Sequence, residues 1–362
     1  MQFPGQGKPA TGVIFDCDMG NSIDDALALA LLYGFDGKNE IRVVSVSVSK
    51  HNLKAAAFAE AIGRFYAGTV SGAFGAVGRN LPVGMSTDGK PSPDTPMLTV
   101  PLSKKNPDGT PVYPHGIEKL NDTAETPALL RNAVTALPEQ GGIVVLTGPA
   151  TNLAKILELP SVKELIAKRV QFLSVMGGAY PNGEPEFNIK ADIPAAKKLF
   201  AEWPTPIVAT GYEIGPALPY PASSIENDFS WTPNHPVVDA YRAYEKMPYD
   251  APSWDMAAVL YAVRPKETYF KLSAPGKIVV QDDGRTKFTP AADGKHRYLI
   301  FDPEQKERII KTYTEIASAK PVVRAPRFRP GQQKKQQQQQ QQTPPKPADG
   351  KAPEVKPPAA EE

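Results

Sequence analysis

Ten consecutive residues near the start of the chain, Asp16-Cys17-Asp18-Met19-Gly20-Asn21-Ser22-Ile23-Asp24-Asp25, carry four carboxylates. They fall where a short apolar, β-branched run (12–17, GVIFDC) gives way to a helical pattern (24–33, DDALALALLY), which Gly34 is placed to stop. Local capping explains the later pair. Ser22 can cap the helix with Asp25 as its capping-box partner, and both Asp24 and Asp25 suit the positive end of the helix dipole. Asp16 and Asp18 have no such local use. Two-residue alternation along a strand puts them on one side, facing the later pair across a turn at Gly20. Four negative charges converging there repel one another unless a cation sits among them, and an all-oxygen site suits a hard cation such as calcium or magnesium.

The rest of the chain supplies elements able to hold such a site. Residues 41–48 (IRVVSVSV), 143–147, 170–176 and 206–210 read as strands, and 53–66, 151–158 and 194–202 as helices. Strands alternating with helices imply a mainly parallel sheet with helices on both faces, which binds ligands at the carboxyl ends of its strands. The loops after Cys17, Val48, Thr147 and Met176 are therefore where chemistry belongs.

Composition narrows the remaining classes. Proline accounts for 39 of 362 residues, about twice the usual share of roughly 5%, so one uninterrupted helical bundle is excluded. A hydrophobic fraction of 41% excludes wholesale disorder. The formal net charge of +2 gives no reason to expect a nucleic-acid or membrane partner. A single cysteine, Cys17, excludes an intramolecular disulfide framework and a multi-cysteine zinc site. No window approaches the ~20 apolar residues of a membrane span, and the first residues lack the apolar core of a signal peptide. A cytoplasmic protein, or an exported one with its signal sequence removed, fits equally. Eight prolines between Leu81 and Pro114 predict a long ordered loop or lid. The stretch 326–362, with its glutamine run, predicts a disordered tail behind one catalytic domain of residues 1–325.

DxD at this position occurs in phosphatases of the haloacid dehalogenase type, but Gly20 stands where those have threonine or valine. The sequence DCDMGNSIDDALAL more closely resembles the opening motif of the nucleoside hydrolase family, DxDxGxDDAxAL, with two extra residues between the glycine and the aspartate pair. Three further stretches resemble that family in the same order. Thr147-Gly148-Pro149-Ala150-Thr151-Asn152-Leu153-Ala154 is similar to its TGxxTNxA segment, and Met176-Gly177-Gly178 followed by Glu186-Phe187-Asn188 to its MGG…EFN segment. Ser253-Trp254-Asp255 stands before an apolar helix (256–263), as does the family's last metal-binding aspartate.

The resemblance implies a single large α/β domain with a Rossmann-like, mainly parallel sheet, and hydrolysis of the N-glycosidic bond of ribonucleosides. It implies calcium, held by the carboxylates of Asp18, Asp25 and Asp255 and the backbone carbonyl of Thr147, with Asp18 as general base. Asp24, Glu186 and Asn188 would hold ribose hydroxyls, with Met176 and Asn182 nearby, and Asn52 is the nearest match to an asparagine the family carries after its second strand. Asp16 would orient the loop. Trp254 replaces the histidine that assists base departure in pyrimidine-active members; tryptophan stacks on purines and cannot act as an acid at neutral pH, which points to purine substrates. His115 is the substitute acid to consider, and Tyr249 a wall of the base pocket. Nucleoside or ribose binding without turnover is the main alternative reading, and a DxD-type phosphatase the lesser one. Family members are commonly homo-oligomers, so a homo-oligomer is the expectation.

Overall fold

The computed structural model describes residues 11–67 and 81–322; the expected tail at 326–362 lies outside the described residues. The centre of the sheet comes from aliphatic, β-branched runs buried on both faces, as interior parallel strands require. In chain order the first half comprises β1 (Thr11–Cys17), α1 (Asp24–Gly37), β2 (Ile41–Val48), α2 (Leu53–Ala67), β3 (Val83–Met85), α3 (Pro96–Ser103), β4 (Ala124–Glu125), α4 (Thr126–Ala136), β5 (Gly142–Leu146), α5 (Thr151–Ile156) and α6 (Val162–Arg169). The second half comprises β6 (Val170–Met176), α7 (Phe187–Ala191), α8 (Ile193–Glu202), β7 (Ile207–Thr210), α9 (Ala222–Asn227), α10 (Pro236–Tyr244) and α11 (Trp254–Val263). It closes with β8 (Phe270–Leu272), β9 (Gly276–Val280), β10 (Thr286–Pro290), β11 (His296–Phe301) and α12 (Lys306–Ala317).

The sheet order is β10-β9-β11-β7-β6-β5-β1-β2-β3-β4, with β8 paired to β11. Strands β1 to β7 pair in parallel, and β11 joins β7 in parallel. The other pairings of β8 to β11 are antiparallel. Chain order reverses between β1 and β5, which makes their carboxyl ends the switch point where such sheets bind ligands. Helices cover both faces. Val13 and Phe15 join a core with Leu27, Leu29, Met256 and Ile316, while Ile14, between them on β1, joins one with Leu130, Leu153, Ile166 and Leu199.

Two expectations change. Gly34 does not stop α1, which runs on to Gly37. The glycine instead lets α12 approach, since a Cβ there would collide with the Ile316 carbonyl. The proline-rich stretch is not simply a loop: it contains β3, an inner strand of the sheet, and α3, which packs on α2 and α10. It is also tied to the first motif. Thr95 Oγ1 donates to the Gly20 carbonyl at 3.1 Å, and Leu98 lies where any side chain at Gly20 (φ 95°) would go. No described helix is long and apolar enough to cross a membrane.

Candidate active site

The acidic residues are placed by β1 and by the helices that begin beside its end. Asp16 is still within the strand. It accepts hydrogen bonds from Ser47 Oγ (2.6 Å) on β2 and Asn152 Nδ2 (2.8 Å) on α5, and its carbonyl accepts from the Thr147 amide at 2.8 Å. It therefore clamps the ends of three adjacent segments from below, with its carboxyl pushed up to about 7, chiefly by burial. Above it the chain turns, and Asp18, Asp24 and Asp25 come together with Asp255 from the first turn of α11. All four are at least 94% buried: Asp18 is 6% exposed, Asp24 1%, Asp25 0% and Asp255 5%. The expected foursome is thus re-dealt, with Asp16 one layer down and Asp255 completing the group.

Ser22 does not cap α1; Ile23 stands at the cap position with no side-chain hydrogen bond, and Asp25 turns into the cluster. Burial and neighbouring charge both act on these groups. Burial raises all four carboxyl pKa values, and mutual repulsion adds to it at Asp25 and Asp255. Asp24 Oδ2 accepts from the Asp255 amide at 2.6 Å, so the start of α1 caps the start of α11 and locks two halves of the site together. Asp24 Oδ1 and both oxygens of Asp25 are buried without a hydrogen-bond partner. Such orphaned oxygens are expensive in a fold unless a cation satisfies them. Among the described residues no three His, Cys, Asp or Glu side chains close into a metal-holding group. The fit to a hard cation therefore lies in charge, burial and orphaned oxygens rather than in a finished cage.

The strand ends on the other side contribute amides and carbonyls. Asn188 Nδ2 reaches the Thr147 carbonyl (3.2 Å), the Met176 carbonyl (3.3 Å) and Met176 Sδ (3.2 Å), joining the ends of β5 and β6. Glu186 caps α7, accepting from the amides of Asn188 (2.9 Å), Ile189 (3.1 Å) and Gly178 (3.1 Å), and its charge reaches Asp18 and Asp255. Trp254, half-buried, donates Nε1–H to the Tyr212 carbonyl at 2.8 Å and stacks on the Tyr212 ring, with centroids 5.6 Å apart. Tyr212 itself is 54% exposed and Phe187, beside Glu186, 53%. These two aromatic faces next to the acidic group were not read from the sequence. The signal was available: Tyr212 follows β7 just as the motif residues follow their strands.

Other residues singled out by sequence are engaged elsewhere. Asn52 Oδ1 caps α2 through the Ala55 amide (2.9 Å), while its Nδ2 donates to the carbonyls of Ser92 (3.0 Å) and Pro93 (3.3 Å) and to Asp94 Oδ1 (3.1 Å). Tyr249 donates to the Tyr241 carbonyl at 2.6 Å and stacks on that ring. Asn182 is exposed and bridges to Lys287 on β10. His115 lines a separate cavity of about 450 Å³ with Leu53, Lys54, Val100 and Ile117. Lys50, two residues beyond β2, was missed: its charge acts on Asp18 and Asp25 against the effect of burial.

A doubly covered, mainly parallel sheet with a buried carboxylate cluster at its switch point defines the class, an α/β protein with its ligand site at the carboxyl ends of the strands. The chain matches the family described as inosine-uridine preferring nucleoside hydrolase over residues 13–320, and it belongs to that family. It is a ribonucleoside N-glycosyl hydrolase. Among solved structures, the fold is similar to a purine-preferring ribonucleoside hydrolase from Gardnerella vaginalis (TM-score 0.60, 18% identity, 85% of this chain and 99% of that one). It is also similar to an inosine-uridine preferring nucleoside hydrolase from Bacillus anthracis (0.59, 20%, 85% and 99%) and to a plant nucleoside hydrolase, PpNRh1 (0.59, 23%, 86% and 100%). A comparison with curated proteins finds no match.

Proposed function

We propose that the hydrolysis is calcium-dependent and prefers purine ribonucleosides. The observation that carries the reading is Asp25, fully buried with both carboxylate oxygens unpartnered among Asp18, Asp24 and Asp255. Asp18, Asp25, Asp255 and the Thr147 carbonyl would hold the ion. When bound, calcium supplies a clamp for the ribose diol and a field that acidifies water. The chain's own residues do the rest. Asp18, whose carboxyl burial pushes up to about 7, accepts the proton of the attacking water. The surrounding carboxylates stabilise the positive charge that builds on the ribose ring as the glycosidic bond stretches. Asp24 Oδ1 is left free to receive a ribose hydroxyl. The Tyr212–Trp254 stack offers an aromatic face of the size a purine covers.

A second reading, nucleoside binding without turnover, is favoured by the positions of the histidines. His235 and His296 are buried in structural hydrogen bonds, His51 pairs with the Gly89 carbonyl, and His115 faces the separate cavity. Reducing-sugar release from inosine, guanosine, adenosine and uridine, before and after chelation and calcium return, tests both. Calcium-restored release, faster for the purines, is the expected result. Nucleoside binding with no sugar release would instead support the second reading, and faster release from uridine would overturn the purine preference.

A further inference from the structure

The short turn of residues 19–23 joins Asp18, at the end of β1, to Asp24 and Asp25 at the start of α1, so its path sets how those carboxylates stand to one another. Met19 and Ile23 anchor its two ends in the core, while Asn21 at its crest is exposed. Inside the turn the Asn21 amide donates to the Asp18 carbonyl at 3.2 Å. Gly20 takes a φ of 95°, and its carbonyl is held from outside by Thr95 Oγ1 at 3.1 Å. Thr95 stands at the N-cap of α3 in extended backbone, where a threonine hydroxyl ordinarily accepts from amides of its own helix. Here it makes no such bond. A capping bond is given up for a bond to the acidic turn. The segment before Thr95 is fixed independently: the Ser92 amide donates to the His51 carbonyl at 2.8 Å, and Asn52 Nδ2 holds the Ser92 and Pro93 carbonyls and Asp94 Oδ1. Beyond it, Lys104 and Tyr113 both donate to Asp239 Oδ2 on α10, at 2.7 and 2.5 Å. Thr95 thus reaches Gly20 from a strap tied to the end of β2 on one side and to α10 on the other.

We propose that Thr95 is a positioning residue for the hydrolysis: its hydroxyl fixes the Gly20 turn, and with it the placement of Asp18 relative to Asp24 and Asp25. The proposal rests on reading Asp18 as the proton acceptor. A general base works only within hydrogen-bond reach of the proton it takes, and a misplacement of about 1 Å costs up to ~100-fold in rate. Met19 and Ile23 fix the ends of the turn, but a glycine between them leaves its middle free to move. The Thr95 hydroxyl removes that freedom, with Leu98 of the same helix closing the space beside Gly20. Because the hydroxyl does not serve the cap of α3, its loss should be felt in the rate more than in the stability of that helix.

The test uses the full chain and reads kcat and KM for sugar release from inosine, with melting temperature alongside. Thr95→Val keeps the shape of the side chain without its hydroxyl, Thr95→Ala removes both, and Thr95→Ser keeps the hydroxyl. Thr95→Val and Thr95→Ala are expected to lose about tenfold in kcat, the worth of one hydrogen bond, with KM within twofold and little change in melting. Thr95→Ser should stay within about twofold of the unsubstituted chain. Unchanged kcat in Thr95→Val overturns the proposal, as does a rise in KM alone, which would make the strap a wall of the substrate site. A Thr95→Ser chain as slow as Thr95→Val overturns it too, because the hydroxyl would then not be the part that matters. If neither Thr95→Val nor Thr95→Ala folds, Thr95 is architectural and the proposal fails. Asp18→Asn separates this proposal from the reading beneath it. Where Asp18→Asn is slow, adding Thr95→Val should cost little more, and a further tenfold loss would show that Thr95 acts on something other than Asp18 and overturn the proposal. Where Asp18→Asn alone keeps full activity, the assignment of the base fails. Thr95 then keeps its role, through Asp24 and Asp25, only if Thr95→Val is slow and Thr95→Ser restores the rate, and loses it otherwise.

Discussion

Two of the buried titratable groups among the described residues, one around His235 and one after β1, are built on opposite terms. His235, 2% exposed, sits among Phe65, Tyr66, Phe229 and Trp231. Its Nδ1 accepts from the Val237 amide at 3.3 Å to cap α10, and its Nε2 meets the Tyr66 hydroxyl at 3.1 Å, which donates onward to the Ala317 carbonyl at 2.9 Å. Every polar atom has a partner and no net charge is enclosed. The carboxylates after β1 are as deeply buried, yet Asp24 keeps one orphaned oxygen and Asp25 two. Burial therefore does not mark the active site; what marks it is a cluster of buried carboxylates with unsatisfied oxygens, which a fold keeps where something else completes the group.

The largest expected effect comes from the group left incomplete. Asp18→Asn removes the proton acceptor and should lower sugar release by about 10³-fold or more, with a melting temperature no lower than that of the unsubstituted chain. A variant that keeps full activity would show that the base lies elsewhere.

The histidine group should respond to pH instead. Burial holds the His235 pKa down to about 3, against 6.5 for the free side chain. Below pH 6.5 the unfolded chain thus binds a proton that the folded one refuses, and stability is lost as pH falls from 6.5 toward 3. Fully expressed, the loss is up to about 5 kcal/mol. His235→Asn keeps an acceptor for the helix cap and should remove most of the histidine-driven fall of the denaturant midpoint between pH 7 and 4, against which the raised carboxyls of Asp16, Asp18 and Asp24 act equally in both chains. Part of the slope should survive, because burial also holds His296 down to about 4, with its Nδ1 accepting from the Ile278 amide. An identical slope in the variant would show that His235 opens to solvent.

Removing one charge from the incomplete group should have a smaller effect of the opposite kind. In chelator, Asp25→Asn relieves repulsion from Asp18 and Asp24 and gives their carboxylates an amide donor. It should raise metal-free stability by about 1–3 kcal/mol and abolish the stabilisation that calcium gives. A drop in metal-free melting temperature would mean that the carboxylates already share a cation-like partner stronger than Lys50.

The two groups were not equally legible in the sequence. Carboxylates at the end of an apolar strand announce themselves because strand and helix periodicity fix which way Asp18, Asp24 and Asp25 point, and the parallel sheet follows from the same alternation. Asp255 was reachable only through its SWD motif, since nothing local ties α11 to α1 across 230 residues. Gly34 and Ser22 were misread for the same reason. Helix-stop and helix-cap rules are local, while α12 packs onto Gly34 and the carboxylate group draws Asp25 away from Ser22. Asn52 shows the limit of motif matching: the loop after β2 was correctly located, but Asn52 serves as the α2 cap and Lys50 is the residue whose charge reaches the cluster. Strands β8 to β11, antiparallel to one another, were not singled out at all, because β9 and β10 alternate buried with exposed residues over only five positions each.

The smallest predicted effect separates the aromatic face from both buried groups. Tyr212 is more than half exposed and holds the Trp254 indole by stacking and through its backbone carbonyl. Tyr212→Ala removes the ring but leaves the carbonyl in place, so Trp254 keeps its hydrogen bond while losing half of its aromatic surface. Base–aromatic stacking contributes about 1–3 kcal/mol per base, and a rim ring shared with Trp254 should fall at the low end. The expected result is a KM for inosine and guanosine raised about five- to tenfold, with kcat nearly unchanged, because binding energy lost equally from ground and transition states appears in KM. Uridine, with less ring to cover, should change less. Equal losses for purine and pyrimidine nucleosides would assign the stack to the architecture of α11, and kcat falling with KM constant would place Tyr212 in base departure.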